Sequence, residues 1–413
     1  MTAVTLLQGL LFLGWGDPRP IYDEAGYLAA GEAAARWLRC ISSLDGLCTE
    51  TARSSVGRLL WHNPGYATLF VVAELLPGNA ANWIRGIQLI GGLLAGVCVY
   101  KTLQSSCSPG IALSAAWIVW LHPVQLFFRV TLWPVALATA AVSVTLLLTL
   151  RVHRKPSCRR RLELSLGFLV LSLLYPLALG ALPLLGLWLL RTGSPSGLAW
   201  RSLVDVLAPT IGVWAVLILV TSSALGTPSF ALLAGPENEA LGNNPYIAEG
   251  RGSSLHDQNS VRALRANVER MCPSSPPQSS LRCRAQAHRA IARETIALSP
   301  GRAALRAGLR VVETWSPDEY VSRHLSDDRV HTRWSLPQGL PTLVSAVEIA
   351  LLIGVLLLPL GARDPRVRGL LVTLMLCTVP ITLGVGITRL RQPLLPVIIL
   401  AAALSLSRYH RAR

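Results

Sequence analysis

The stretch that decides the fold is residues 132–176, LWPVALATAAVSVTLLLTLRVHRKPSCRRRLELSLGFLVLSLLYP. Two apolar runs, 132–150 and 163–176, flank a short segment that holds Arg151, Arg154, Lys155, Arg159, Arg160 and Arg161. A hydrocarbon core roughly 30 Å thick is crossed by about twenty helical residues. The runs therefore read as membrane helices, and the cations between them as a loop retained on the cytoplasmic side.

Working outward, similar runs occur at 3–16, 82–100, 109–123, 177–190, 203–223, 341–360, 369–387 and 394–407, so the chain reads as an all-α polytopic membrane protein with about ten transmembrane helices. Composition agrees: 52% of the residues are hydrophobic and only 15% charged, against about a quarter charged in soluble domains. The net charge of +16 lies largely at the ends of apolar runs and not in a patch on a folded domain, which argues against nucleic acid as a partner.

With the N-terminus inside, successive crossings place Lys101, the 151–161 cluster, Arg191 to Arg201, Arg363 to Arg368 and the tail from Arg408 to Arg413 in the cytoplasm. The predicted organisation is an N-terminal transmembrane region, 1–223, with a first outer loop at 17–81. A large outer loop domain of mainly helical and irregular structure follows at 224–340, and then a C-terminal transmembrane region at 341–413. The expectation is a multi-pass protein of the cytoplasmic (inner) membrane with both termini cytoplasmic. The first run is short for a span, since fourteen residues reach only about 21 Å. It lacks the basic leader and small-residue cleavage site of a signal peptide, and reads as a short helix or the remainder of a longer one.

Cysteine placement bears on sidedness, because disulfides persist in oxidising compartments. Cys40 and Cys48 share the first outer loop, and Cys272 and Cys283 share the second. Two short-range disulfides are the favoured reading, four free thiols the alternative.

Candidate chemistry begins at Asp23-Glu24-Ala25-Gly26-Tyr27, directly after the first run. Adjacent carboxylates at a membrane surface are costly to desolvate, so they stay wet, cap a helix or perform chemistry. Asn63-Pro64-Gly65-Tyr66 leads into a further apolar run, and Arg389-Leu390-Arg391-Gln392-Pro393 opens the last helix. Taken in this order, the motifs resemble bacterial glycosyltransferases of the family 39 type in the GT-C superfamily, relatives of protein O-mannosyltransferases and of the aminoarabinose transferase acting on lipid A. Gly242-Asn243-Asn244-Pro245 looks like an element of the same family's large outer loop, as does the segment from Ser299 to Pro317. In many members of the family the outer turn between the third and fourth helices carries an acid; here it reads FFRVTLWP at 127–134, without Asp or Glu.

The resemblance implies a GT-C-like fold and inverting transfer of a sugar from a polyprenyl-phosphate donor to a lipid, glycan or protein acceptor at the outer face. Asp23 would be the general base, assisted by Glu24. Arg389 and Arg391 would hold the donor phosphate, for which guanidinium forks are suited, with Tyr27, His62 and Tyr66 as further substrate-binding candidates. Outer-leaflet anchoring is the other use for the two arginines. The sequence names no cofactor; a divalent metal is compatible with the resemblance, but His324, Asp327, Asp328 and His331 show no recognisable ligand spacing. The second functional reading is a non-catalytic relative that binds lipid-linked sugar or serves as a transporter-like or partner subunit.

One segment reads as an interfacial helix. Arg302, Arg306 and Arg310 fall on one stripe, and Leu305, Leu309 and Val312 on another, so the helix suits lipid headgroups, with packing on the loop's own core as the alternative. Cysteine labelling of intact cells should reach engineered sites near residues 45 and 280 from outside, and near 155 and 410 only after permeabilisation. Labelling of residue 155 from outside would reverse the orientation.

Overall fold

The computed structural model describes residues 23–42, 63–155, 157–181, 198–226, 234–254, 257–273, 277–316, 340–357, 365–380 and 388–412; every regular element among them is helical, with no strand. The first half comprises α1 (Asp23–Ser42), α2 (Pro64–Leu75), α3 (Ala80–Leu103), α4 (Pro109–Leu121), α5 (Pro123–Val130), α6 (Val135–Arg154) and α7 (Cys158–Leu174). A 3₁₀ turn, Pro176–Ala181, precedes α8 (Leu198–Leu225). The loop domain holds α9 (Gly235–Gly242), α10 (Gln258–Met271), α11 (Pro277–Leu298) and α12 (Pro300–Trp315). Then come α13 (Leu340–Leu357), α14 (Pro365–Thr378), two 3₁₀ turns at Thr388–Leu390 and Gln392–Leu394, and α15 (Leu395–Ala412).

The helix boundaries follow from local chemistry. Proline opens α2, α4 and α5, where its missing N–H removes no helical bond. Asn79 and Ser108 cap α3 and α4 by accepting from Ala81 N at 2.8 Å and Ile111 N at 3.4 Å. His122 lies just before Pro123, which disfavours the helical conformation there; its ψ is 120°, and α4 and α5 meet at 47°.

Three helices among the described residues are long and apolar enough to cross a membrane: Ala80–Leu103, Val135–Arg154 and Val204–Ser223. The bent pair α4–α5 makes up to four, and Pro64–Leu75, Thr342–Gly354 and Gln392–Ser407 are apolar but shorter. Thus the runs at 82–100, 132–150 and 203–223 are helices of spanning length, whereas 341–360 and 394–407 hold shorter ones. The run at 109–123 is the first limb of the bent pair, that at 163–176 falls on α7, and that at 369–387 begins within α14. The run at 3–16 and most of 177–190 lie outside the described residues.

α3 and α6 share the most extensive helix interface, and α6 also packs on α7. Outward from this pair, Ile87, Ile90 and Leu94 on α3 and Leu162, Leu166 and Val170 on α7 form exposed apolar rows, as expected of helices that face lipid. The basic helix ends gather at one end of the bundle: Arg154 Nη2 donates to Ser105 Oγ, Arg366 Nη1 to Ser106 Oγ at 3.0 Å, and Ser407 Oγ to Ser106 O at 3.3 Å.

The α4–α5 break leaves carbonyls at the end of α4 without helical partners, which is costly where water is excluded. Arg129 supplies the donors: its Nη1 bonds Trp120 O at 2.8 Å and its Nη2 bonds Val119 O at 2.9 Å. The guanidinium fits because Gly92 on α3 has no side chain, and any Cβ there would collide with it. The loop domain has its own small core, including Leu241, Leu264, Val268 and Ile291. Cys272 and Cys283 are joined in a disulfide with Cα atoms 5.9 Å apart. Cys40 is also disulfide-bonded; Cys48, its expected partner, lies outside the described residues.

Replacing Arg129 by Met should leave both carbonyls unsatisfied, at about 1–3 kcal/mol each, and lower the thermal midpoint of the detergent-purified protein. An unchanged midpoint would refute this role.

Candidate functional site

The non-helical turn between α5 and α6 is held by side chains from two other helices. On α3, Gln88 Nε2 donates to the carbonyls of Phe128 at 3.0 Å, Arg129 at 3.2 Å and Thr131 at 2.6 Å. One helical turn away, Arg85 Nε donates to Val130 O at 3.0 Å. Tyr66 Oη on α2 donates to Gln88 Oε1 at 2.5 Å, fixing the amide so that its NH₂ faces the turn. On α1, Glu24, only 2% exposed, accepts the backbone N–H of Leu132 at Oε1 over 2.7 Å. The turn that contains no acid of its own thus receives one from the Asp23-Glu24 motif.

An aromatic layer stands beside this turn. Tyr27 and Tyr66 meet edge to face with ring centroids 4.8 Å apart, and Phe70 packs on both. α1 comes this close to α2 because Gly31 faces Phe70: a Cβ at Gly31 would lie 2.5 Å from Phe70 Cβ. Trp133 is fully buried against Phe127 and Phe128. Over its indole lies Arg389, with Cζ 5.4 Å from the ring centroid. Motifs from opposite ends of the chain therefore converge on consecutive residues: Glu24 on Leu132, and Arg389 on Trp133.

The sequence predicts Arg389 and Arg391 at one phosphate, but the structure separates them. Arg391 is 2% exposed, with its Nη2 on the Glu348 carboxylate and its Nη1 on Thr314 O at 3.0 Å and on Ser316 O. Gln392 Nε2 donates to Glu348 Oε1 at 3.2 Å, and His122 Nε2 stands 3.3 Å from that same oxygen. Gln125 Nε2 bonds Gln392 O at 2.9 Å. The guanidinium predicted to hold a ligand instead ties the end of α12 to α13 and to the start of the last helix, because a buried carboxylate competes for it. Arg389 is the member of the pair that reaches the turn.

Asp23 begins α1, but its side chain lies outside the described residues, as do His62 and the 324–331 segment. Asn243 and Asn244 serve the loop domain: Asn244 Nδ2 donates to Ala240 O and to Ser254 Oγ at 3.1 Å each, and Asn243 Nδ2 to Glu239 O at 3.1 Å. Among the described residues no group of three His, Cys, Asp or Glu is placed to hold a metal ion. Gln88, Arg85, Trp133 and Glu348 are the residues that sequence reading missed. The signal for Gln88, Arg85 and Glu348 was polarity inside apolar runs, most plainly Glu348 in LVSAVEIALL; Trp133 carried none. Compared with known proteins, the chain matches no family model and no curated sequence.

Chemically, the arrangement offers a carboxylate-bearing helix start, a rigid aromatic floor and a guanidinium at one end of a bundle. Removing one partner of the buried pair should cost more than removing both, because a lone buried charge is left. Glu348→Ala should lower stability by about 3–5 kcal/mol, while Glu348→Leu combined with Arg391→Met should recover more than half of it. Additive losses in thermal midpoint would exclude the coupling.

Proposed function

We propose that the chain is a membrane glycosyltransferase that moves a sugar from a polyprenyl-phosphate donor to an acceptor at the outer face of the membrane, within a GT-C-like bundle of about ten spans. The observation that carries this reading is the meeting of Glu24 and Arg389 on Leu132 and Trp133. Glu24 pins the first turn of α1 at this end of the bundle, and Asp23 is the residue that precedes it in the same motif. The outer placement of that end draws on the Cys272–Cys283 disulfide in the loop domain and on the basic helix ends gathered at the other end.

In this mechanism the Asp23 carboxylate takes the proton of the acceptor hydroxyl. The acceptor oxygen forms a bond to the anomeric carbon as the bond from that carbon to the phosphate oxygen breaks, with inversion. Polyprenyl phosphate leaves with the electron pair. Arg389 offsets the charge that builds on it, in a site whose neighbours are aromatic and dry. Glu24 holds the helix start in place through Leu132. The second reading, a non-catalytic sugar-lipid binding protein or partner subunit, draws on Glu24 and Arg391 both being bonded internally.

Turnover of the reconstituted protein with a panel of polyprenyl-phosphate sugars tests the two. Asp23→Asn should reduce turnover by about 10²- to 10⁴-fold with donor binding intact. Arg389→Ala should weaken donor binding and rate together, because the phosphate is present in ground and transition states. Near-normal turnover by Asp23→Asn removes that residue as the base, and a wild type inactive across the panel favours the second reading.

A further inference from the structure

Helix α12 turns two of its arginines, Arg306 and Arg310, toward the 242–252 segment. Arg310 is 2% exposed and donates through Nη1 to Gly242 O at 2.5 Å and Gly252 O at 3.0 Å, while Arg306 Nη1 bonds Asn244 O at 3.0 Å. Burial pushes the Arg310 guanidinium down to about 10, still cationic at neutral pH. With this face spent on the 242–252 segment, the opposite face carries Leu305 at 64% and Val312 at 63% exposure, and Leu298, just before the helix, is 75% exposed. The far end of α12 is fixed to the apolar helices: Trp315 Nε1 donates to Thr378 Oγ1 at 3.3 Å, and Arg391 to Thr314 O at 3.0 Å. An exposed apolar row on a helix whose C-terminal end is joined to apolar helices of this kind has the arrangement of a helix lying along a bilayer surface.

At the other end of the row lies a groove of about 380 Å³ between α10, α11 and α12, lined by residues that include Asn267, Glu294, Thr295, Leu298, Arg302 and Arg306. That volume is in the range of small-molecule sites, about 300–1,000 Å³. Neither Arg302 nor Arg306 is ion-paired among the described residues. Burial lowers the Arg306 guanidinium from its ordinary range, and the charge of Arg302 lowers it further, as two neighbouring cations repel each other. Cationic and apolar linings meet at one place, since Leu298 both lines the groove and belongs to the exposed row.

We propose that this groove binds the phosphate headgroup of an anionic membrane lipid, with Arg302 and Arg306 on the phosphate and Leu298 and Leu305 against the acyl chains. It is independent of the proposed sugar transfer and needs no turnover to test. The full chain in neutral phosphatidylcholine nanodiscs is titrated with phosphatidylglycerol and bound lipid is counted by native mass spectrometry. Arg302 is exposed, so Arg302→Gln should fold normally and weaken binding about 5- to 10-fold, the order of one charge-assisted contact. Glu294→Gln should strengthen binding, because it removes a carboxylate that opposes the phosphate; a merely structural role for the groove would not move in that direction. Leu298→Ser with Leu305→Ser should weaken it. Unchanged affinity in Arg302→Gln, in protein whose Cys272–Cys283 disulfide is intact, would overturn the proposal. So would competition by glycerol phosphate at the same concentration as the lipid, which would assign the groove to a soluble anion.

Discussion

Arg391 and Glu348 place opposite charges inside an apolar bundle, and the arrangement of the candidate site depends on their pairing. Each charge alone would be too costly to bury; together, with Gln392 on the carboxylate and two backbone carbonyls on the guanidinium Nη1, each offsets the other. The pair fixes where the last helix enters the bundle. Arg389 sits two residues upstream, in the 3₁₀ turn that ends at Leu390, so its position over Trp133 follows from that anchor. The end of α12 is tied to the same point, which couples the loop domain to the membrane helices at the candidate site and not at some remote place.

The second constraint is that backbone without a helical partner must be satisfied where water is scarce. Arg129 meets it at the end of α4, and Gln88 and Arg85 meet it along the 128–131 backbone. A turn tied by so many side chains has little room to rearrange. Trp133 and Leu132 are therefore presented in fixed positions before any ligand arrives, which is what a site acting through geometry and charge requires.

The all-helical character of the described residues and their long apolar helices were legible because apolar run length is set by bilayer thickness, a quantity that does not depend on the rest of the fold. The pairing of Cys272 with Cys283 likewise rests on proximity in sequence. The break at His122 was not read, although Pro123 signalled it, because the hydropathy of 109–123 continues through it. Arg391 was read as a ligand group because its motif is local, whereas the carboxylate that claims it lies in another helix, and nothing in the sequence pairs the two. The stripe of arginines on α12 was seen, but its direction was not: amphipathic periodicity says that two faces differ and not which one meets protein. Here the carbonyls of the 242–252 segment drew the cations inward.

The acceptors that Arg391 uses on the loop side are the main-chain oxygens of residues 314 and 316. Every amino acid carries such an oxygen, so these two positions are open to drift in side-chain identity while the joint persists. Positions 348 and 391 have no such freedom, since a change at either strands the other's charge. Among descendants of this chain, the connection between loop domain and bundle would thus survive as one charge pair that changes only together, with no trace of the loop residues it grips.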